Sequence, residues 1–151
     1  MPPIDLILRL LLAAGLGAAI GVERELRQKA AGLRTNMLIA VGSALFTIVS
    51  IELAKIGGTP DRVAAQIVTG IGFLGAGSIL RSGRSVHGMT TAATIWVNAS
   101  VGMAVGAGLY AIAVAGTTIT LVVLAALPYV ERYLDRYAGV TNSRRIGDRF
   151  Q

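Results

Sequence analysis

The chain of 151 residues contains no cysteine and only one histidine. Disulfides and thiolate metal sites are therefore excluded, and so is a multi-histidine zinc site within one chain. Charge is scarce at 15% of residues and aromatics at 5%, while 54% are apolar and 19 are glycine. A soluble domain of this length can bury a core but rarely manages with so few charges. The mixture of Ala, Gly, Leu, Ile and Val suits helices packed closely in lipid, and mean hydropathy is +0.66. The net charge of +6 raises the question of nucleic acid. The basic residues, however, gather in the gaps between apolar runs, which is the pattern of membrane topology. The expected surroundings are a lipid bilayer, with no nucleic-acid partner.

A bilayer core takes about 20 residues of helix to cross. Candidate spans run from Leu6 to Val22, Asn36 to Ala54 and Val63 to Leu80. A longer run from Val86 to Leu127 must turn once, at Gly106–Tyr110 (GAGLY), and Pro128 closes it. The expected fold is all-α: a polytopic membrane bundle of five transmembrane helices over residues 1–128. A short juxtamembrane helix and a mobile tail follow over 129–151, with Tyr129, Tyr133 and Tyr137 at steps of four in the headgroup zone. A secretory signal peptide is the competing reading of the first run. No basic cluster precedes it, and the charged strip behind it would make an odd mature N-terminus.

Eleven of the 14 Lys and Arg lie in gap one, gap three and the tail. Five spans place all eleven on one side. Because basic loops stay in the cytoplasm, the N-terminus is expected outside and the C-terminus inside. Thr59-Pro60-Asp61 reads as a helix start and Gly57-Gly58 as the end of the helix before it. Arg9, four residues after Asp5, is expected to be paired with it or snorkelling at the outer interface.

Polar residues recur along two spans. Asn36, Ala40, Ser43, Thr47 and Ser50 share one face of the second, and His87, Thr91, Thr94, Asn98 and Gly102 one face of the fourth. Such stripes must point inward, as interhelical glue or as the lining of a pathway or cavity. His87 is either an interfacial hydrogen-bonder or a ligand or relay. Trp96, in the middle of its span, either packs in the core or shapes a cavity. In the third span Gly70 and Gly77 lie on one side and Gly72 and Gly75 on another. That arrangement permits close approach by two neighbours, or a break that exposes carbonyls to an ion. Gly17-x-x-x-Gly21 and Gly102-x-x-x-Gly106 are further small-residue contacts, serving the bundle or a homodimer.

The strip GVERELRQKAAGLRTNM (21–37) pairs Glu23 with Arg27 and Glu25 with Lys29 if the first helix continues. Gly32 then stops that helix, and Thr35 or Asn36 caps the next. Arg24 and Arg34 are left without a local partner. The strip is a self-neutralising elbow or a functional site.

Three blocks, GVERELRQKAAGLRTNMLIAVGSALFT, RVAAQIVTGIGFLGAGSIL and VHGMTTAATIWVNASVGMAVGAGLY, resemble the N-terminal membrane domain of the MgtC/SapB (YhiD-like) family over residues 10–127. The motif positions are Glu23, Arg24 and Glu25, Ala31 to Thr35 (including Arg34), Thr69 to Gly77, and Gly88, Thr90, Thr91, Trp96 and Asn98. The resemblance implies a bacterial inner-membrane protein linked to growth in low magnesium and, in pathogens, to survival inside host cells. It also implies ATP synthase as a possible membrane partner. Many members carry a soluble C-terminal domain. Function residing there does not transfer to this chain, which ends soon after the fifth span.

Two functions stand open: a non-catalytic regulator in magnesium or ion homeostasis acting through helix contacts, and a transporter or channel for Mg²⁺ or H⁺. Magnesium prefers carboxylate oxygens, yet Glu23, Glu25, Glu52 and Asp61 all lie at span edges. No cofactor is expected, and a metal site is not assigned. With one His, no Cys and no convergent acid pair, an enzyme is not expected.

Overall fold

The computed structural model describes residues 2–137 except Pro60 and Arg84. The tail expected over 139–151 and Pro60 of the expected helix start lie outside the described residues. Five helices follow in order: α1 (Pro3–Leu26), α2 (Leu33–Ala54), α3 (Asp61–Gly77), α4 (Met89–Gly106) and α5 (Tyr110–Tyr137). A small antiparallel hairpin, β1 (Leu80–Ser82) with β2 (Ser85–His87), joins α3 to α4.

The helix ends follow from local chemistry. α1 opens with Pro3 in its first turn and Asp5 against the positive helix end. It closes in a Schellman turn: the Lys29 N–H donates to the Arg24 carbonyl (3.0 Å), and the Gln28 N–H to that of Glu25 (2.9 Å). Gln28 holds the left-handed position there (φ 54°). The same pair of bonds ends α4, from Leu109 to Ala104 (2.8 Å) and from Gly108 to Val105 (3.0 Å). Glycine fills the left-handed position at Gly108 (φ 80°), so the long apolar run turns where GAGLY predicts.

Three expected boundaries are corrected. A hairpin occupies the stretch between α3 and α4, because a tight turn at Gly83 (φ 58°) pairs Leu80 with His87 and Ser82 with Ser85. Apolar residues thus continue past the helix end in β geometry. α1 outruns the expected Leu6–Val22 at both ends. Pro128 does not close α5, which continues through it to Tyr137. An interior proline removes one helical hydrogen bond and crowds the carbonyl four residues back, yet the helix carries on with Tyr129 and Tyr133 exposed on it.

α1, α2 and α5 are long and apolar enough to cross a membrane. α3 has 17 residues and is about 26 Å long, somewhat short of a hydrocarbon core of about 30 Å. α4 has 18 residues and carries the second polar stripe.

α2 is the centre of the bundle, and glycines set its distance from two neighbours. A Cβ at Gly17 would fall 2.8 Å from the Ala40 Cβ and from the Asn36 carbonyl oxygen, and one at Gly21 2.8 Å from the Leu33 Cα. On the other side, a Cβ at Gly106 would lie 2.6 Å from the Ala44 oxygen, and one at Gly102 would overlap the Ala40 oxygen. Both Gly-x-x-x-Gly pairs are thus used inside the chain, clasping α2 between α1 and α4.

The core they close is made of small residues: Ala13, Ala40, Ala44, Val101, Val105 and Ala113. Polar Asn36, Ser43, Thr47, Ser50, Thr91, Thr94, Asn98 and Thr117 are buried with it. Large apolar side chains point outward instead, with Phe73 83% and Leu38 72% exposed. Polar inside and apolar outside is the distribution of a bundle whose solvent is lipid.

Candidate functional site

The elbow between α1 and α2 holds most of the charged strip. The Glu23 carboxylate lies between two guanidiniums. Arg24 reaches Oε2 through Nε and Nη2 (both 2.5 Å), and Arg27 reaches Oε1 through Nε (2.5 Å). Arg24 is only 3% exposed. Its expected lack of a partner is corrected: Glu23 precedes it directly, and burial drives the pairing.

Glu25 does not pair with Lys29, because the Schellman turn ends α1 before that register can form. Its Oε2 instead accepts the Leu33 N–H at 3.0 Å, satisfying a free donor at the start of α2. Gly32 does not stop α1 but stands as the N-cap of α2. A Cβ on it would collide with the Glu25 carboxylate. Thr35 and Asn36 are not caps either, since both lie inside α2. Arg34 is exposed in the first turn of α2 and has no ion pair among the described residues.

Just behind the elbow the two stripes meet. The Asn98 Nδ2 donates to the Asn36 carbonyl oxygen (2.7 Å) and to its Oδ1 (3.1 Å). The Asn36 Nδ2 in turn donates to the carbonyls of Ala31 (2.7 Å) and Gly32 (2.9 Å). Both amides are fully buried, so the pair ties α4 to α2 and α2 to the elbow. Of the polar side-chain atoms of these two amides, the Asn98 Oδ1 lacks a partner among the described residues. Thr47 and Thr94 bond carbonyls four residues back, each at 2.8 Å. His87 is not part of the helical stripe: it is exposed in β2.

The glycines of α3 separate in role. Gly75 rests on Ala92 of α4, where a Cβ would be in ordinary contact at 3.6 Å. Gly70, Gly72 and Gly77 have nothing within 4 Å of a Cβ, and α3 is unbroken. The expected approach on two sides is therefore met on one. An apolar groove of about 780 Å³ runs between α2 and α3, with Leu38, Gly42, Phe46, Ile67, Gly70 and Gly77 in its walls. Trp96, expected in the core or beside a cavity, is 53% exposed on the outer surface of α4.

A second cavity, of about 810 Å³, lies at the elbow end of the bundle. Arg24, Arg27 and Lys29 enter it from the elbow, Gly88 to Thr91 from the start of α4, and Glu131 and Arg132 from α5. Thr90 is exposed and Thr91 buried. Nothing in sequence spacing announces this convergence of three distant segments. At the opposite end, Arg9 pairs with Asp5 (3.0 and 2.9 Å) as expected. It also donates from Nη1 to the Gly106 carbonyl (2.8 Å), at the C-terminus of α4. No group of three or more His, Cys, Asp or Glu gathers among the described residues.

Long apolar helices with an interior of small and polar residues define an α-helical membrane protein. The chain belongs to the MgtC family, whose model matches residues 10–133. It is 50% identical over 127 residues to an Escherichia coli protein named "Putative magnesium transporter YhiD", covering 80% of this chain and 59% of that protein. It is 52% identical over 115 residues to protein MgtC of Salmonella typhimurium (76% and 49%). An uncharacterised protein of Synechocystis is 48% identical over 129 residues (85% and 55%). The chain thus spans about half the length of the curated relatives it matches. No solved structure matches it.

Proposed function

We propose that this chain is a non-catalytic regulator of magnesium or ion homeostasis in the bacterial inner membrane. In this reading it crosses the bilayer five times, with the elbow end cytoplasmic, and acts through helix contacts made within the bilayer. The observation that carries the reading is the open groove between α2 and α3. Gly42, Gly70 and Gly77 in its walls meet no neighbour, while every glycine of the two Gly-x-x-x-Gly pairs is already occupied inside the bundle. In lipid, small-residue surfaces are where a further helix can approach closely. The occupant is a transmembrane helix of a partner protein, for which a second copy of this chain is the simplest candidate and ATP synthase the one the family resemblance suggests. The buried stripes fit the same reading, because Asn36, Thr47, Thr94 and Asn98 are engaged in short bonds between and within helices.

A second reading, transport of Mg²⁺ or H⁺, is favoured by the name of the E. coli relative. Liposomes carrying the purified protein separate the two. Mg²⁺ or H⁺ flux that Asn98→Ala and Arg34→Ala both abolish supports transport. No flux, with complementation in cells intact, supports regulation. The natural absence of cysteine makes Gly70→Cys a clean probe. Cross-linking of this variant in native membranes is expected on the regulatory reading. A monomeric, uncross-linked Gly70→Cys protein that still complements would refute docking at this groove.

A further inference from the structure

The cavity at the elbow end is unlike the groove: cations line it together with apolar side chains. Arg24, Arg27, Lys29 and Arg132 face a single lining carboxylate, Glu131. Glu23 is committed to Arg24 and Arg27 together, so one acid answers two bases and positive charge is left over. The Nη1 of Arg24 has no hydrogen-bond partner among the described residues, although the side chain is almost fully buried. A guanidinium taken out of water in this way favours an anion beside it.

The floor of the cavity is the start of α4. Gly88 occupies the N-cap in the left-handed conformation (φ 91°) and offers no side-chain cap. The first N–H groups of this 18-residue helix have no side-chain acceptor among the described residues, and the helix dipole adds partial positive charge there.

An independent observation points to a ligand. Thr91 is 4% exposed and lines the cavity, and its hydroxyl makes no hydrogen bond among the described residues. Other helical threonines donate to the carbonyl four residues back, as Thr94, Thr117 and Thr120 do. For Thr91 that residue is His87, which lies in β2 and outside the helix. The hydroxyl is thus left facing the cavity. Leu124 and Leu127 of α5 are among the apolar side chains that line it.

We propose that this cavity binds a phosphoryl group. The Thr91 hydroxyl, the N-terminus of α4 and the Arg24 and Arg132 guanidiniums hold its oxygens, and the apolar side chains of α5 accommodate an attached acyl chain where one is present. An anionic phospholipid headgroup and free phosphate share this chemistry, and basic pockets between membrane helices bind such headgroups. The inference is independent of the α2–α3 groove.

The test uses the full chain in nanodiscs of phosphatidylcholine. One arm titrates inorganic phosphate; the other incorporates phosphatidylglycerol, with lipid retention read by native mass spectrometry. Binding of at least one probe is expected to raise the thermal midpoint. Thr91→Val, which leaves the charge unchanged, is expected to weaken that binding about tenfold, as does loss of a hydrogen bond to a charged group. Thr91→Ser should retain it, and the exposed Arg132→Gln provides a second weakened variant. Binding of phosphatidylglycerol alone identifies a lipid headgroup, whereas protection by inorganic phosphate identifies the free anion. If neither probe binds, or if Thr91→Val and Arg132→Gln both bind as tightly as the natural protein, the assignment is wrong.

Discussion

Gly106→Ala is expected to loosen the whole bundle, because the atoms in the way are backbone atoms and a Cβ fixed to the backbone, which cannot move aside. A Cβ at Gly106 would stand 2.6 Å from the Ala44 carbonyl oxygen, 2.8 Å from the Thr47 Cβ and 3.1 Å from the Ala44 Cα. Ordinary contact begins near 3.4 Å, so α4 must retreat from α2 by about 0.8 Å. Overpacking of this kind costs about 1–3 kcal/mol. The same retreat stretches the 2.7 Å bond from Asn98 to the Asn36 carbonyl, and losing an interhelical bond adds about 0.6 kcal/mol. The two costs sum to about 1.6–3.6 kcal/mol, less up to about 1 kcal/mol that alanine gains over glycine in a helix. Gly102→Ala should be worse, since its Cβ would overlap the Ala40 oxygen. Gly15→Ala is the control: its Cβ meets nothing within 4 Å, and a helical glycine replaced by alanine gains up to about 1 kcal/mol. Equilibrium unfolding in mixed micelles with rising dodecyl sulfate, followed by circular dichroism, measures all three. The clasp on α2 is refuted if Gly106→Ala unfolds no more readily than Gly15→Ala.

Asn98→Ala leaves the buried Asn36 Oδ1 without its donor and should cost about 1–3 kcal/mol in the same assay. Asn98→Asp should cost more, because it sets a carboxylate against two oxygens; an equal or smaller loss would contradict the amide pairing. Gln28→Gly relieves the left-handed strain at φ 54° and is expected to stabilise by about 1 kcal/mol, so a lower unfolding midpoint would speak against the Schellman turn. Trp96, on the outer surface, should be strongly quenched by brominated acyl chains, and Trp96→Phe should change stability by less than about 0.5 kcal/mol. An unquenched Trp96 would place it inside the bundle.

Several elements were legible because their cause is local. The turn at Gly108 follows from glycine's freedom at positive φ, the pairing of Asp5 with Arg9 from helix spacing, and the inward stripes from the expense of polar groups in lipid. The hairpin between α3 and α4 was hidden because its apolar residues extend a hydropathy run that takes no account of backbone geometry. Glu25 was assigned to Lys29 on the assumption that α1 continued. One left-handed residue, Gln28, instead turned the chain and sent the carboxylate to Leu33.

Composition and periodicity alone thus determined that the chain makes helices for a bilayer, because lipid selects side chains by polarity, residue by residue. Only the tertiary structure decided which glycines were already occupied and which stayed open. It also decided that Asn36 and Asn98 would satisfy each other, and that Arg24, Thr91 and Arg132 would share one cavity. Those outcomes depend on which helices become neighbours and at what distance, and residues far apart in the chain carry no local signal of either.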